Sequence, residues 1–461
     1  MTSSTPTDKN RDQTKARLLP LYLRVPDDPD FLTQTDLLTR LLDDVAVFLS
    51  PRLLGSDVAD AEADAVVFPQ LTGDAYQKKH DIAALELPIV VLTSEFGTMA
   101  MWDWEIISYL RAEGVDVLAP YSIGSTETAC RSLAAKRQLR EGKFIVYQDR
   151  PGQEGKQPEI FKRFYWWEDE CSERIRAKFG LTIEKRSFRD LGAKAKAISG
   201  ATAEEDWERW RSTVTIGEVT RSATLSALKL YRAVKEEIDS ERGILAVGIN
   251  CLNESVFSDT TPCLAWNLLY QELDMIWGCE ADTVSMLSKF ILHRSLRAPI
   301  MMSNLYPFLM GAAALKHERL TSFPIVDEPE NYVLAAHCGY LGVVPQPFAT
   351  EWNLRERVLE IVDSNATAID ARLPVGDLTL AKLDPTFQRL VVAQCELTGY
   401  AQYPGSDCRN GAVIHVPDGH ALMERLPSHH SMLLVGHDLP GIRLIGQIFG
   451  LGIDLLGAQG L

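Results

Sequence analysis

Three short apolar runs in the middle of the chain each end on polar groups that could act on a ligand. Residues 244–249 are rich in β-formers, are bounded by Gly243 and Asn250-Cys251, and lead to Glu254. Residues 275–277 end on Cys279-Glu280-Ala281-Asp282, and residues 300–302 on Ser303-Asn304. Far downstream come His429-His430 and Gly436-His437. Carboxylate oxygen combined with imidazole nitrogen is donor chemistry for a divalent cation. In an open α/β sheet, ligands collect outside the carboxyl ends of the strands. The three runs therefore predict polar groups gathered on one side of a sheet.

Each candidate has a plainer reading beside the chemical one. Glu280 is also what a helix start shows to solvent, with Asp282 as the N-cap of the amphipathic run Val284, Leu287, Phe290, Ile291. Glu254 is also a loop acid near Asn250 and Asn253. His429 and His430 are also two exposed histidines after Pro427-Ser428. His337-Cys338-Gly339 reads as a buried turn or as a site wall. Arg409, in Asp407-Cys408-Arg409-Asn410, pairs with an acid or binds a substrate hydroxyl or carboxylate. Trp102, in Trp102-Asp103-Trp104-Glu105, opens a helix where most aromatics are core. Nothing supports a Cys nucleophile.

The elements that must position these groups read as follows. Strands at 18–23, 65–68, 88–93 and 115–118 alternate with helices at 37–49 and 102–111, the second stopped by Gly114. This βαβ alternation predicts a parallel sheet. A helix at 126–140 and a strand at 143–147 follow, then a loop at 148–158 rich in charge, Pro and Gly. Helices at 160–179, 203–211 and 218–238, with a strand at 181–185, lead into the run at 244. After residue 328 the texture changes. A strand at 332–336 and a helix at 354–362 precede short segments at 378–381, 390–394, 412–416 and 432–435, the pattern of an antiparallel barrel or sandwich. The fold class is thus α/β, with two doubly wound, Rossmann-like α/β domains followed by a β-rich, barrel-like domain. The boundaries fall at 1–142, at 143–328 (carrying Glu254, Glu280 and Asn304) and at 329–461 (carrying His430).

Over most of its length, weakly at the start and best from about residue 240 onward, the chain resembles the L-fucose isomerase family, within the wider fucose/arabinose isomerase group. That family has a Thr/Cys-Glu-x-Asp motif after a strand, an Asp after a second strand, and a downstream His-Gly/Ser-x-x-x-x-Gly-His motif. Cys279-Glu280-Ala281-Asp282 matches the first motif, and His430-Ser-Met-Leu-Leu-Val-Gly436-His437 matches the last. Asn304 stands where the Asp would be. Short relatives often carry Cys-x-x-Glu, here Cys251-Leu-Asn-Glu254.

The resemblance implies metal ligands at Glu280, Asn304 and His430, holding Mn2+ or another divalent cation. It implies an aldose–ketose isomerase of a small sugar, in which Glu280 and Glu254 move a proton through an enediol. His437, Arg409 and His337 would contact substrate. Trp102 would complete a neighbour's pocket in a homo-oligomer, a hexamer or trimer. Asn304 departs from the pattern: it offers a neutral carbonyl and cannot be a base. No Asp or Glu lies between Asp282 and Glu318, so shifting the match does not restore the acid. Either Glu254 supplies the second carboxylate, or the chemistry has changed. The alternatives are a metal-dependent lyase or other enediolate chemistry, and a non-catalytic sugar-binding relative.

Composition narrows the partners. A chain of 461 residues predicts two or three domains. Net charge −16 argues against nucleic acid and anionic membrane surfaces. Eight cysteines without CxxC spacing read as reduced thiols of a cytoplasmic protein. Residues 1–15 are polar, lack the apolar core of a signal peptide, and are expected to be disordered. No run is long enough to span a membrane. GxGxxG, GxxxxGK[ST], GxSxG and HExxH motifs are all missing, which argues against the usual nucleotide sites, nucleophile elbows and zincins.

Overall fold

The computed structural model describes residues 14–149, 163–311, 320 and 322–457. Nearly all of the polar start and most of the loop expected at 148–158 lie outside them. The molecule is mixed α/β, with two parallel sheets and a closed antiparallel β-barrel. Two compact units divide the chain. The first comprises Met1–Gln138, Arg294–Arg297 and Asp438–Leu451; the second comprises Leu139–His293, Ala298–His437 and Gly452–Leu461.

In the first unit, β1 (Ala16–Tyr22), β2 (Ala46–Phe48), β3 (Arg52–Leu53), β4 (Ala65–Phe68), β5 (Ile89–Val91) and β6 (Val117–Leu118) form a parallel sheet. Its order is β2-β1-β4-β5-β6, with β3 also on β1. Leu19, Leu21, Val66, Phe68, Val91 and Ile107 belong to its core. The helix expected at 37–49 lies earlier, at Pro29–Leu41, and 46–48 is β2. Asp28 explains the start, because its side chain accepts the Asp30 and Phe31 N–H groups. Asp43 and Asp44 follow the helix end, where acids oppose the helix dipole.

In the second unit, β7 (Lys143–Tyr147), β8 (Thr182–Arg186), β9 (Ile244–Ile249) and β10 (Ile276–Cys279) form a parallel sheet in the order β10-β9-β7-β8. The helix Arg221–Ser240 covers it with Ala223, Ala227, Leu228, Tyr231 and Val234 buried, capped by the Thr220 side chain. Of the helix expected at 160–179, residues 160–162 lie outside the described residues, Tyr165–Trp167 is one tight turn packed into the core, and the α-helix among the described residues runs from Asp169 to Phe179.

The remaining strands are β11 (Ile300–Pro307), β12 (Tyr332–Ala336), β13 (Glu351–Glu356), β14 (Thr367–Arg372), β15 (Gly376–Leu383), β16 (Arg389–Gln402), β17 (Asn410–His415), β18 (His430–Val435) and β19 (Gly452–Leu455). Six of them close a ring, β15-β18-β11-β12-β17-β16, sealed by the β15–β16 ladder, and β19 adds to β16 in parallel. β13 and β14 pair separately.

Two expectations are corrected here. The helix expected at 354–362 does not form: residues 354–356 belong to β13, in which Trp352 and Leu354 alternate inward, and 357–362 are irregular. Residues 300–302 do not continue the parallel sheet. β11 runs antiparallel between β12 and β18, after the chain reverses through Arg297, at φ +59°, and Pro299. This move sets Asn304 directly opposite both Ala336 and His430.

Candidate metal centre

Glu280 is delivered by the end of β10. Glu280 and Ala281 both adopt left-handed backbone, at φ +54° and +49°. Such conformations are costly for residues with a Cβ, so the surroundings must enforce them. They do: the Glu280 carbonyl accepts the indole N–H groups of Trp166 at 3.3 Å and Trp167 at 2.8 Å. The turned backbone buries the Glu280 side chain and releases Asp282 to cap the next helix. Asp282 Oδ1 accepts the Ser285 N–H at 2.8 Å, as the sequence predicts for an N-cap.

His430 opens β18 and is wholly buried. Its Nδ1 lies 2.8 Å from Asp282 Oδ2, and its ring stacks on Trp166 with centroids 5.1 Å apart. Nε2 faces Glu280 Oε1 at 3.8 Å, too far for a hydrogen bond, and finds no hydrogen-bond partner among the described residues. His429 sits beside it with ring centroids 4.3 Å apart. One edge of His429 is open to solvent, while Phe164 and Trp166 crowd the ring.

The electrostatics are tightly balanced. Burial pushes the Glu280 carboxyl up, and the imidazoles of His430, His337 and His429 outweigh it, holding it at about 2. Burial works on Asp282 in the same direction, but Lys382, His430 and Ser285 keep it far below the usual carboxylate range. Burial lowers His430, and the Glu280 and Asp282 carboxylates reverse this, so its pKa ends above the ordinary value. His429 is pushed down to about 3 by desolvation, helped by the neighbouring His430.

Donor atoms of Glu280, His429 and His430 all lie within 4.8 Å of one another. One carboxylate and two imidazoles are a recurrent donor set for first-row divalent metals. A buried imidazole nitrogen with no hydrogen-bond partner, aimed at a carboxylate, is what such an ion would satisfy. The residues therefore fit a divalent cation.

The other candidates take varied places. Asn304 is half-buried across the ladder from His430. Its Oδ1 lies 3.0 Å from His337 Nδ1, and its Nδ2 donates to Tyr306 at 3.2 Å. His337 stands with its ring 5.6 Å from that of His430. The buried Glu254 carboxylate accepts the Asp149 N–H at 3.0 and 3.2 Å. His437 directs Nε2 to the carbonyl oxygens of Leu378 and Cys395 at 3.1 and 2.9 Å. Arg409 is exposed and lines a polar cavity of about 320 Å³ with Tyr340, Arg355, Arg357 and Asp370. Trp102 belongs to the first unit and is 83 % exposed.

Sequence reasoning missed Lys382 and Trp166, and it ranked His429 below its neighbour. Only the adjacency of His429 to His430 could have flagged it. No family model matches the chain, and no curated protein matches it.

Proposed function

We propose that Glu280, His429 and His430 hold a divalent cation, Mn2+ or another, and that the chain uses it on a small polyhydroxylated carbonyl compound. The reaction in this reading is an L-fucose isomerase-like aldose–ketose isomerisation through an enediol. One observation carries the metal centre: His430 Nε2, buried and without a hydrogen-bond partner among the described residues, facing Glu280 Oε1 at 3.8 Å. The cation, when bound, polarises the carbonyl and the neighbouring hydroxyl.

The chain's own residues supply the rest. Glu280 takes the proton from one carbon and returns it to the next, so one carboxylate serves both transfers. Glu254 is not needed as a second carrier, because its oxygens are held by the Asp149 N–H. Trp166 and Phe164 wall one side of the imidazole pair and limit water. The reading also takes in the finer architecture of two doubly wound domains, a cytoplasmic setting that suits eight free cysteines, and a homo-oligomer.

A second reading has its own support. Asn304 stands where the resembling family has an acid and is turned onto His337, which favours enediolate chemistry without delivery of the proton to the neighbouring carbon, such as a lyase. Metal analysis of purified wild type and Glu280→Gln tests the centre, and wild type should retain an ion that Glu280→Gln loses. A pentose and hexose panel with added Mn2+ tests isomerisation. Solvent deuterium entering C2 without isomer formation would select the second reading. Equal metal content in both proteins would defeat the centre itself.

A further inference from the structure

We infer that Asp282 and Lys382 are positioning residues for His430. They fix the imidazole with its Nδ1–H toward Asp282 and its Nε2 lone pair toward Glu280. The consequence for metal binding rests on the reading above; the geometry does not.

Asp282 has 0 % and Lys382 1 % of its side chain exposed. The carboxylate is fully engaged. Oδ1 accepts the Ser285 N–H at 2.8 Å. Oδ2 accepts the Ser285 hydroxyl at 2.7 Å, the Lys382 ammonium at 3.0 Å and the His430 Nδ1–H at 2.8 Å. Lys382 also donates to the Ser285 hydroxyl. An ionised carboxylate only accepts hydrogen bonds, so the imidazole nitrogen facing it must carry hydrogen. In a neutral ring that leaves Nε2 bare, and Nε2 is the nitrogen that looks at Glu280.

Lys382 makes this arrangement tenable. A buried carboxylate without its counter-charge is strongly destabilising, and Lys382 is the one ammonium bonded to it among the described residues. The ladder also couples them. Lys382 lies on β15, which pairs with β18 through Leu380–Leu433 and Ala381–Met432. The same pairing that seats Lys382 therefore seats His430. A histidine ligand with its second nitrogen anchored to a carboxylate keeps one tautomer and one ring orientation, which is what prepares it for a cation.

Ring nitrogen–proton correlation spectra of the metal-free full chain, recorded where the ring is neutral, read the tautomer directly. Wild type should show His430 protonated at Nδ1, and Lys382→Arg should keep that form. Asp282→Asn should lose the preference, because an amide can donate as well as accept. A wild-type His430 protonated at Nε2 overturns the inference.

Co2+ titration is the second readout, with the Tm of the metal-free protein confirming the fold. Asp282→Asn should bind Co2+ about 10–100-fold more weakly than wild type. Unchanged Co2+ affinity and absorption spectrum in a folded Asp282→Asn protein also overturns it. If wild type takes up no Co2+ yet shows the Nδ1–H form, the metal reading fails and the positioning role stands. If Asp282→Asn does not fold, the wild-type tautomer decides alone.

Discussion

Lys289 lies wholly buried on the helix Thr283–Leu296, donating to the Trp277 carbonyl at 2.8 Å with its ammonium 3.6 Å from the Trp277 ring centre. Unlike Lys382, it has no carboxylate partner at salt-bridge distance among the described residues. Burial pulls its pKa down to about 7 from a starting value of 10.5. Between those two values the unfolded chain binds a proton that the folded chain has lost. Stability therefore rises with pH across that window. Lys289→Met should stabilise the protein by about 1–3 kcal/mol at pH 7, and its advantage should shrink toward pH 10. Urea denaturation at several pH values measures both; a constant difference would refute the assignment. The residues of the centre were unequally legible. Glu280 and the Asp282 cap follow from a strand end beside a helix start. Lys382 lies 100 positions from Asp282, and no local spacing connects them. His429 precedes β18, so strand alternation does not force its ring to the face opposite His430.

At the scale of elements, β9 and β10 meet through facing glycines. Gly248 and Gly278 are register partners, and Met286 from the following helix fills the slot they leave. A Cβ on Gly278 would stand 2.4 Å from Met286 Cγ and 2.6 Å from its sulfur. Gly278→Ala should therefore destabilise by about 1–3 kcal/mol and displace the helix that Asp282 caps. Adding Met286→Ala should recover part of that loss, and a double-mutant cycle by chemical denaturation measures the coupling. Strictly additive changes would show that the contact does not carry the effect. Most strands were legible as short β-rich runs, and Lys143–Tyr147 matches its expected bounds. The place of β11 was not legible, because an apolar run shows neither the direction nor the identity of its partner. Its neighbour β18 is more than a hundred residues away, and residue 304 joins the site through that pairing.

For the whole molecule, the first unit exposes Phe96, Met101, Trp102, Trp104 and Tyr121 on the segments that follow β5 and β6, Met101 and Trp102 in a single 3-10 turn and Trp104 at the start of the helix Trp104–Ala112. Large apolar groups exposed together mark an association surface more often than they mark free solvent contact. The homo-oligomer reading predicts a light-scattering mass that is a multiple of 51.4 kDa. The double change Trp102→Ser, Tyr121→Ser should lower that mass with the circular dichroism spectrum unchanged. A monomeric wild type would remove the oligomer from the proposal. The anchoring of His430 to Asp282 has a consequence in time. The two residues are 148 positions apart, so a growing polypeptide leaves the ribosome with Glu280 and Asp282 long before His430 exists. On the metal reading proposed above, a cation therefore cannot template the early steps of folding; it would act only once β10 and β18 have come together. Refolding with and without a chelator should give the same rate and a different final stability.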